Sequence, residues 1–167
     1  WIGPTSGSWT DAANWEPAVV PGVSAPGHRV TIATDDVVVT IPAGTTVQID
    51  SLTLGDSQTD GGPTLFVGRT QLFCHILSVS RGATLRIVSG RGSAQAKGAE
   101  LTASSSIVNA GLIELTSVNS GCCNAQPATL RLTEGTLPNA AGATLRPPQR
   151  ALRRKRSLPP PLRPPRP

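Results

Sequence analysis

Ten short segments of this chain alternate an apolar residue with Thr, Ser or a charged residue: 29–32, 37–41, 46–49, 51–54, 64–67, 76–79, 84–88, 107–108, 112–115 and 129–132. Apart from the pair at 107–108, each runs for four or five residues, and most are bounded by Gly, Asp, Asn or Ser. An alternation of period two puts every second side chain on one face, the pattern of a half-buried β-strand. The helical signal is confined to residues 94–103, which are rich in Ala but carry no apolar stripe. The body therefore reads as all-β. Its core must be built from Val, Ile, Leu and Ala, since the chain has no Met or Tyr and only two Phe. Small and branched side chains suit thin, regularly stacked layers better than a single core filled with aromatics.

Short strands can close into a sandwich, a barrel or a solenoid. Three phrases favour the solenoid: Arg81-Gly-Ala-Thr-Leu-Arg-Ile87, Ile107-Val-Asn-Ala-Gly-Leu-Ile-Glu-Leu115 and Leu137-Pro-Asn-Ala-Ala-Gly-Ala-Thr-Leu145. In each, Asn or Gly supplies a tight corner and a short strand with inward Leu or Ile follows. Repetition of such a unit lets a coiled sheet bury one face of each strand against the rungs on either side. The expected fold is a right-handed parallel β-helix, with a β-sandwich as the alternative. Its period is uneven, so insertions at 56–63 and 119–127 should bulge from the stack. Three regions follow: a Trp-rich N-terminal segment or cap at 1–28, solenoid repeats at 29–145, and a disordered tail at 146–167.

All three tryptophans, Trp1, Trp9 and Trp15, lie in the N-terminal segment. The pattern W-x-G, G-x-W-x-x-x-x-N-W, V-P-G and V-x-I is carried by Trp1, Gly3, Gly7, Trp9, Asn14, Trp15, Val20, Pro21, Gly22, Val30 and Ile32. The corners and strands at Asn109, Gly111, Ile113, Leu130, Leu132, Gly135, Asn139, Gly142 and Leu145 extend it. Together they resemble bacterial exported β-helix surface proteins, the repeat adhesins of the autotransporter-passenger and filamentous-haemagglutinin type. The resemblance covers residues 1–145. It implies a secreted or cell-surface adhesion or structural module, with surface glycans or host and matrix proteins as partners. It brings no catalytic residue and no cofactor.

The tryptophans themselves have two readings. An open solenoid end exposes unpaired strand edges, and Trp1, Trp9 and Trp15 can lie over it as a cap. Alternatively their flat faces form a sugar-stacking platform, as in a carbohydrate-binding module. The three cysteines, Cys74, Cys122 and Cys123, allow one bridge from Cys74 to Cys122 or Cys123 and leave one thiol over. Free thiols are the alternative. Cys74, His75, Cys122 and Cys123 make a cramped zinc site, so no metal is assigned.

The acidic residues Asp35, Asp36, Asp50, Asp56 and Asp60 fit solvated turns better than a calcium loop. Arg86, Glu114 and Arg131 can fall in a line across rungs, either as a groove for a polysaccharide or as an ion-pair ladder. With His only at 28 and 75, no nucleophile–His–acid set is legible, and a polysaccharide lyase or hydrolase stands behind the non-catalytic readings. The net charge of +5 is misleading as an average. Residues 146–167 carry eight basic and no acidic side chains and eight of the 16 prolines, while residues 1–145 are mildly acidic. Such a tail cannot bury enough to fold. It reads as a basic arm, a proline-motif ligand, a processing site at 153–156, or a non-native C-terminus, and the body itself does not point to nucleic acid. No stretch approaches the roughly 20 apolar residues of a membrane helix. The chain opens on Trp rather than Met and reads as a mature product or an excised fragment.

Overall fold

The computed structural model describes residues 1–23, 25–56, 61–90, 98–117 and 126–147. The basic tail from residue 148 onward and Cys122 and Cys123 lie outside them, as do Asp60 and the processing sequence. Twelve strands follow one another: β1 (Ser6–Ser8), β2 (Arg29–Ile32), β3 (Val38–Ile41), β4 (Thr46–Gln48), β5 (Ser51–Leu54), β6 (Thr64–Gly68), β7 (Gln71–Val79), β8 (Thr84–Ser89), β9 (Ala99–Asn109), β10 (Leu112–Ser117), β11 (Ala128–Leu132) and β12 (Thr144–Arg146). All pair in parallel, so sequence neighbours never pair with each other and each strand meets its equivalent from the next coil. That excludes the antiparallel sandwich and leaves a β-solenoid of about four turns.

The coil has three faces. The first is one sheet in the order β1-β3-β6-β8-β10-β12. The second sheet is divided by a corner. On one side of it β4 and β11 flank the first halves of β7 and β9; on the other, β2 and β5 align with their second halves. In β7 the strict burial alternation breaks at His75 and Ile76, which are both exposed, and resumes at Leu77. Two outward residues in succession let the chain turn while its interior side stays interior. β9 spends one residue more at the same corner, since Cys74 pairs with Ala103 but Ile76 with Ser106. The Ala-rich segment thus belongs to the longest strand rather than to a helix from Ala99 onward, because in-register partners on both sides override its weak helical propensity.

Inward residues stack in columns. Val39, Leu65, Leu85 and Ile113 form one on the first face, Val47, Leu72 and Leu101 another on the second, and Val30, Leu52, Leu77 and Ile107 a third. All are fully buried or nearly so. Each such aliphatic side chain contributes about 1.5–3 kcal/mol on burial.

The Asn-x-Gly corner acts through a polar column. Asn109 is fully buried below Val79 and meets Asn139 one turn on. Its Nδ2 donates to Asn139 Oδ1 at 2.7 Å and to the Thr144 carbonyl at 3.3 Å, while its Oδ1 accepts from the Gly111 amide at 3.2 Å. Gly111 is needed for close approach: a Cβ there would lie 2.3 Å from the Ser80 carbonyl oxygen. Replacing Asn109 by Ala strands several of these groups, each costing about 1–3 kcal/mol when buried. Asn109→Ala should therefore lower the urea midpoint clearly more than Asn139→Ala at the exposed end of the column. Equal, negligible effects in denaturant melts would contradict the ladder.

Candidate functional site

The N-terminal segment joins the first of the described turns. β1 pairs with β3, and the Trp9 amide donates to the Thr40 carbonyl at 2.8 Å, so the chain enters the stack before the first turn of the second sheet. Trp9 is fully buried and Trp15 nearly so, with ring centroids 4.8 Å apart in an edge-to-face contact. Their indole N–H groups are satisfied by the Pro21 and Trp9 carbonyls, at 2.9 and 2.8 Å. Trp1 is half-buried and meets Trp15 edge-on at 5.1 Å. The glycines of the motif make room: a Cβ on Gly7 would stand 2.9 Å from Asn14 Nδ2 and 3.0 Å from the Trp1 ring. The three tryptophans are brought together, but as a packed cluster in which Trp9 and Trp15 present no free face. What remains open is a hollow of about 260 Å³ bordered by Trp1, Trp15, Glu16, Pro17, His28 and Arg29.

Most charges on the lateral faces are bound across rungs. On the first face Phe66, Arg86, Glu114 and Arg146 occupy successive rungs of one outward column. The Arg86 guanidinium lies 4.9 Å over the Phe66 ring, its Nε is 2.8 Å from Glu114 Oε2, and Arg146 reaches Glu114 Oε1 at 3.3 Å. The Arg86 Nε–H is buried and does not point along its ion-pair contact, so it makes no hydrogen bond. The expected line is corrected in one member. Arg131 lies on the second face, paired with Glu100 at 3.2 Å, and register gives its place beside Glu114 to Arg146. Arg29 pairs with Asp50 at 3.3 Å on the third face, beyond the corner of the second sheet.

The second face holds a grouping that the linear sequence hides. Gln48, Phe73 and Thr102 sit on adjacent rungs in one outward column. Beside them, at the corner, Ser104 Oγ lies 2.6 Å from His75 Nδ1. Together with Ile49 and Cys74 they line a hollow of about 420 Å³. Only Cys74 and His75 stand out in the sequence, as members of a cramped zinc set and, for Cys74, as a bridge candidate; the signal for the rest is the register. Among the described residues no three His, Cys, Asp or Glu side chains converge as metal ligands, and no helix is long and apolar enough to cross a membrane. Towards the C-terminal side of the described coil, Leu115, Leu130, Leu132, Leu137, Leu145 and Pro147 border an apolar hollow of about 460 Å³.

Comparison with family models, with curated proteins and with solved structures finds no match for this chain. The fold itself defines its class, a β-solenoid of stacked repeats.

Cys74 is buried and has no bridge among the described residues; the expected partners Cys122 and Cys123 lie outside them. Burial pushes this thiol up from 9.0 to about 12, which keeps it protonated and unreactive. In a Cys122→Ser/Cys123→Ser background it should resist thiol reagents until the chain unfolds. The raised value also sets a sign. Above the ordinary thiol range the unfolded chain loses this proton while the folded chain keeps it, so stability falls as pH rises from about 9 to about 12, by up to about 1.4 kcal/mol per pH unit. Cys74→Ala should flatten that part of the decline, and an unchanged slope would contradict the assignment.

Loss of a buried tryptophan from this cluster costs about 3–5 kcal/mol. Trp9→Ala should therefore depress the melting temperature strongly, with Trp1→Ala giving a much smaller shift. Equal shifts would show that Trp9 does not anchor the N-terminal end of the coil.

Proposed function

We propose that this chain is a non-catalytic adhesion or structural module, part of a secreted or cell-surface β-solenoid protein. The observation that supports it most is the state of the lateral faces. Their charges are spent on each other in the column Arg86–Glu114–Arg146 and in the pairs Glu100–Arg131 and Arg29–Asp50. Exposed pairs of this kind add little stability, but they remove free charge from the surface. Rows of Thr, Ser and Gln then remain as the principal contact groups on a stiff, regular frame, which suits broad, hydrogen-bonded contact with surface glycans or matrix proteins. The resemblance to exported β-helix adhesins points the same way and supplies the extracellular location.

A carbohydrate-binding module is the second reading, favoured by the N-terminal hollow where Trp1 keeps part of its ring open beside Glu16, His28 and Arg29. The two readings and the enzyme alternative separate in one experiment. The full chain is immobilised and exposed to a panel of surface polysaccharides and matrix proteins, and both retention and newly released reducing ends are measured. Saturable retention with no release is expected. Catalytic release of reducing ends would overturn the proposal, as would failure to retain anything on the panel. Retention of glycans that disappears in Trp1→Ala would favour the second reading.

A further inference from the structure

We propose that the hollow on the second face is a binding site for one uncharged sugar residue, whose C–H face rests on Phe73. The proposal deepens the recognition reading above and rests on it. Phe73 points outward from its strand and is only half-buried. The other outward phenylalanine, Phe66, is covered by Arg86, whereas among the described residues Phe73 makes no aromatic or cation–π contact. A large ring on a face otherwise lined by polar side chains exposes apolar surface without gaining a partner for it.

Its surroundings supply what a sugar needs in addition. Gln48 and Thr102 flank Phe73 in register on the rungs before and after, and His75 and Ser104 stand at the corner beside it. A pyranose combines an apolar face of C–H groups with a rim of hydroxyls that both donate and accept. An amide, two hydroxyls and an imidazole offer both kinds of partner around a single ring. Ser104 and His75 are already joined at 2.6 Å, which holds that side of the hollow in place. A hollow of about 420 Å³ is of the size that takes small ligands.

The charge pattern argues for a neutral ligand. Glu100, the nearest acid on this face, accepts from Arg131 at 3.2 Å and from the Thr102 hydroxyl at 3.4 Å. Asp50 is engaged by Arg29. Burial keeps the Cys74 thiol protonated beneath the site. A uronate would find no free cation among these residues, and an amino sugar no free carboxylate. A purely apolar ligand would leave the hydrogen-bonding groups dry and unpaired.

The test uses the full chain and saturation-transfer NMR with titration. The probes are glucose, galactose, mannose and N-acetylglucosamine, with galacturonate and glucosamine as charged controls. Saturable binding of at least one neutral sugar is expected, weakened by about tenfold or more in Phe73→Ala. Ser104→Ala should weaken it less, and Trp1→Ala should leave it intact. Phe73→Leu serves if Phe73→Ala does not fold: it keeps apolar volume but loses the flat ring, and should also lose most of the binding. Absence of binding by every neutral sugar at about 10 mM overturns the proposal. So does binding that survives both Phe73 variants, or binding confined to the charged controls. Retention of matrix proteins or longer glycans in those cases would leave the recognition reading standing while this site fails.

Discussion

A single rung of this coil is too thin to enclose anything, so each turn is stable only through contact with the turns beside it. Two sets of interactions act together there. Parallel backbone hydrogen bonds join equivalent strands, and inward columns such as Val39–Leu65–Leu85–Ile113 fill the space between the faces. Register links the two. A slip of one residue would turn every inward Leu and Ile outward and carry the paired charges into the core. The Asn109–Asn139 column helps prevent this, because the buried Asn109 amide finds its partners only in the observed alignment. The same dependence on neighbours explains the tryptophan cluster. At the first of the described turns, Trp9 and Trp15 pack over the core side chains that the strands on one side leave uncovered.

The parts of the fold that can be read from sequence are those governed by local alternation. Segments 29–32 and 51–54 appear as strands with the same bounds, and most others differ by one or two residues at an end. The first halves of β7 and β9 are not legible in this way. Gln71–His75 ends where alternation fails at the corner, and residues 99–106 combine Ala with a run of Ser that carries little β-branched signal. Only pairing with neighbouring rungs makes these stretches strands. The tryptophan–glycine motif at 1–22 is legible as a unit. Its internal arrangement is not, since spacings along the chain do not reveal that Gly7 makes room for Asn14 and the Trp1 ring.

Surface groupings are the least legible because they are assembled by register alone. Between Thr64 and Thr84 one turn takes 20 residues, whereas between Leu112 and Thr144 it takes 32. With so uneven a period, nothing in the linear sequence places Gln48, Phe73 and Thr102 in one column. The same unevenness sends Arg131 to Glu100 and brings Arg146 to Glu114. Insertions can lengthen a turn at a corner without disturbing the columns on either side. A scaffold of this kind holds its core fixed while outward residues on its faces are free to differ from rung to rung. That separation keeps stability in the stack and leaves the lateral faces open to the recognition proposed above.

Stacking of equivalent strands is tested most directly by inter-strand proton contacts in solution, measured by NMR on isotope-labelled protein. Parallel stacking requires contacts of Leu65 with Val39 and Leu85, of Leu85 with Ile113, and of Phe73 with Gln48 and Thr102. Contacts running instead between strands adjacent in sequence, such as β5 against β6 in antiparallel register, would contradict the solenoid and dissolve the Phe73 hollow with it.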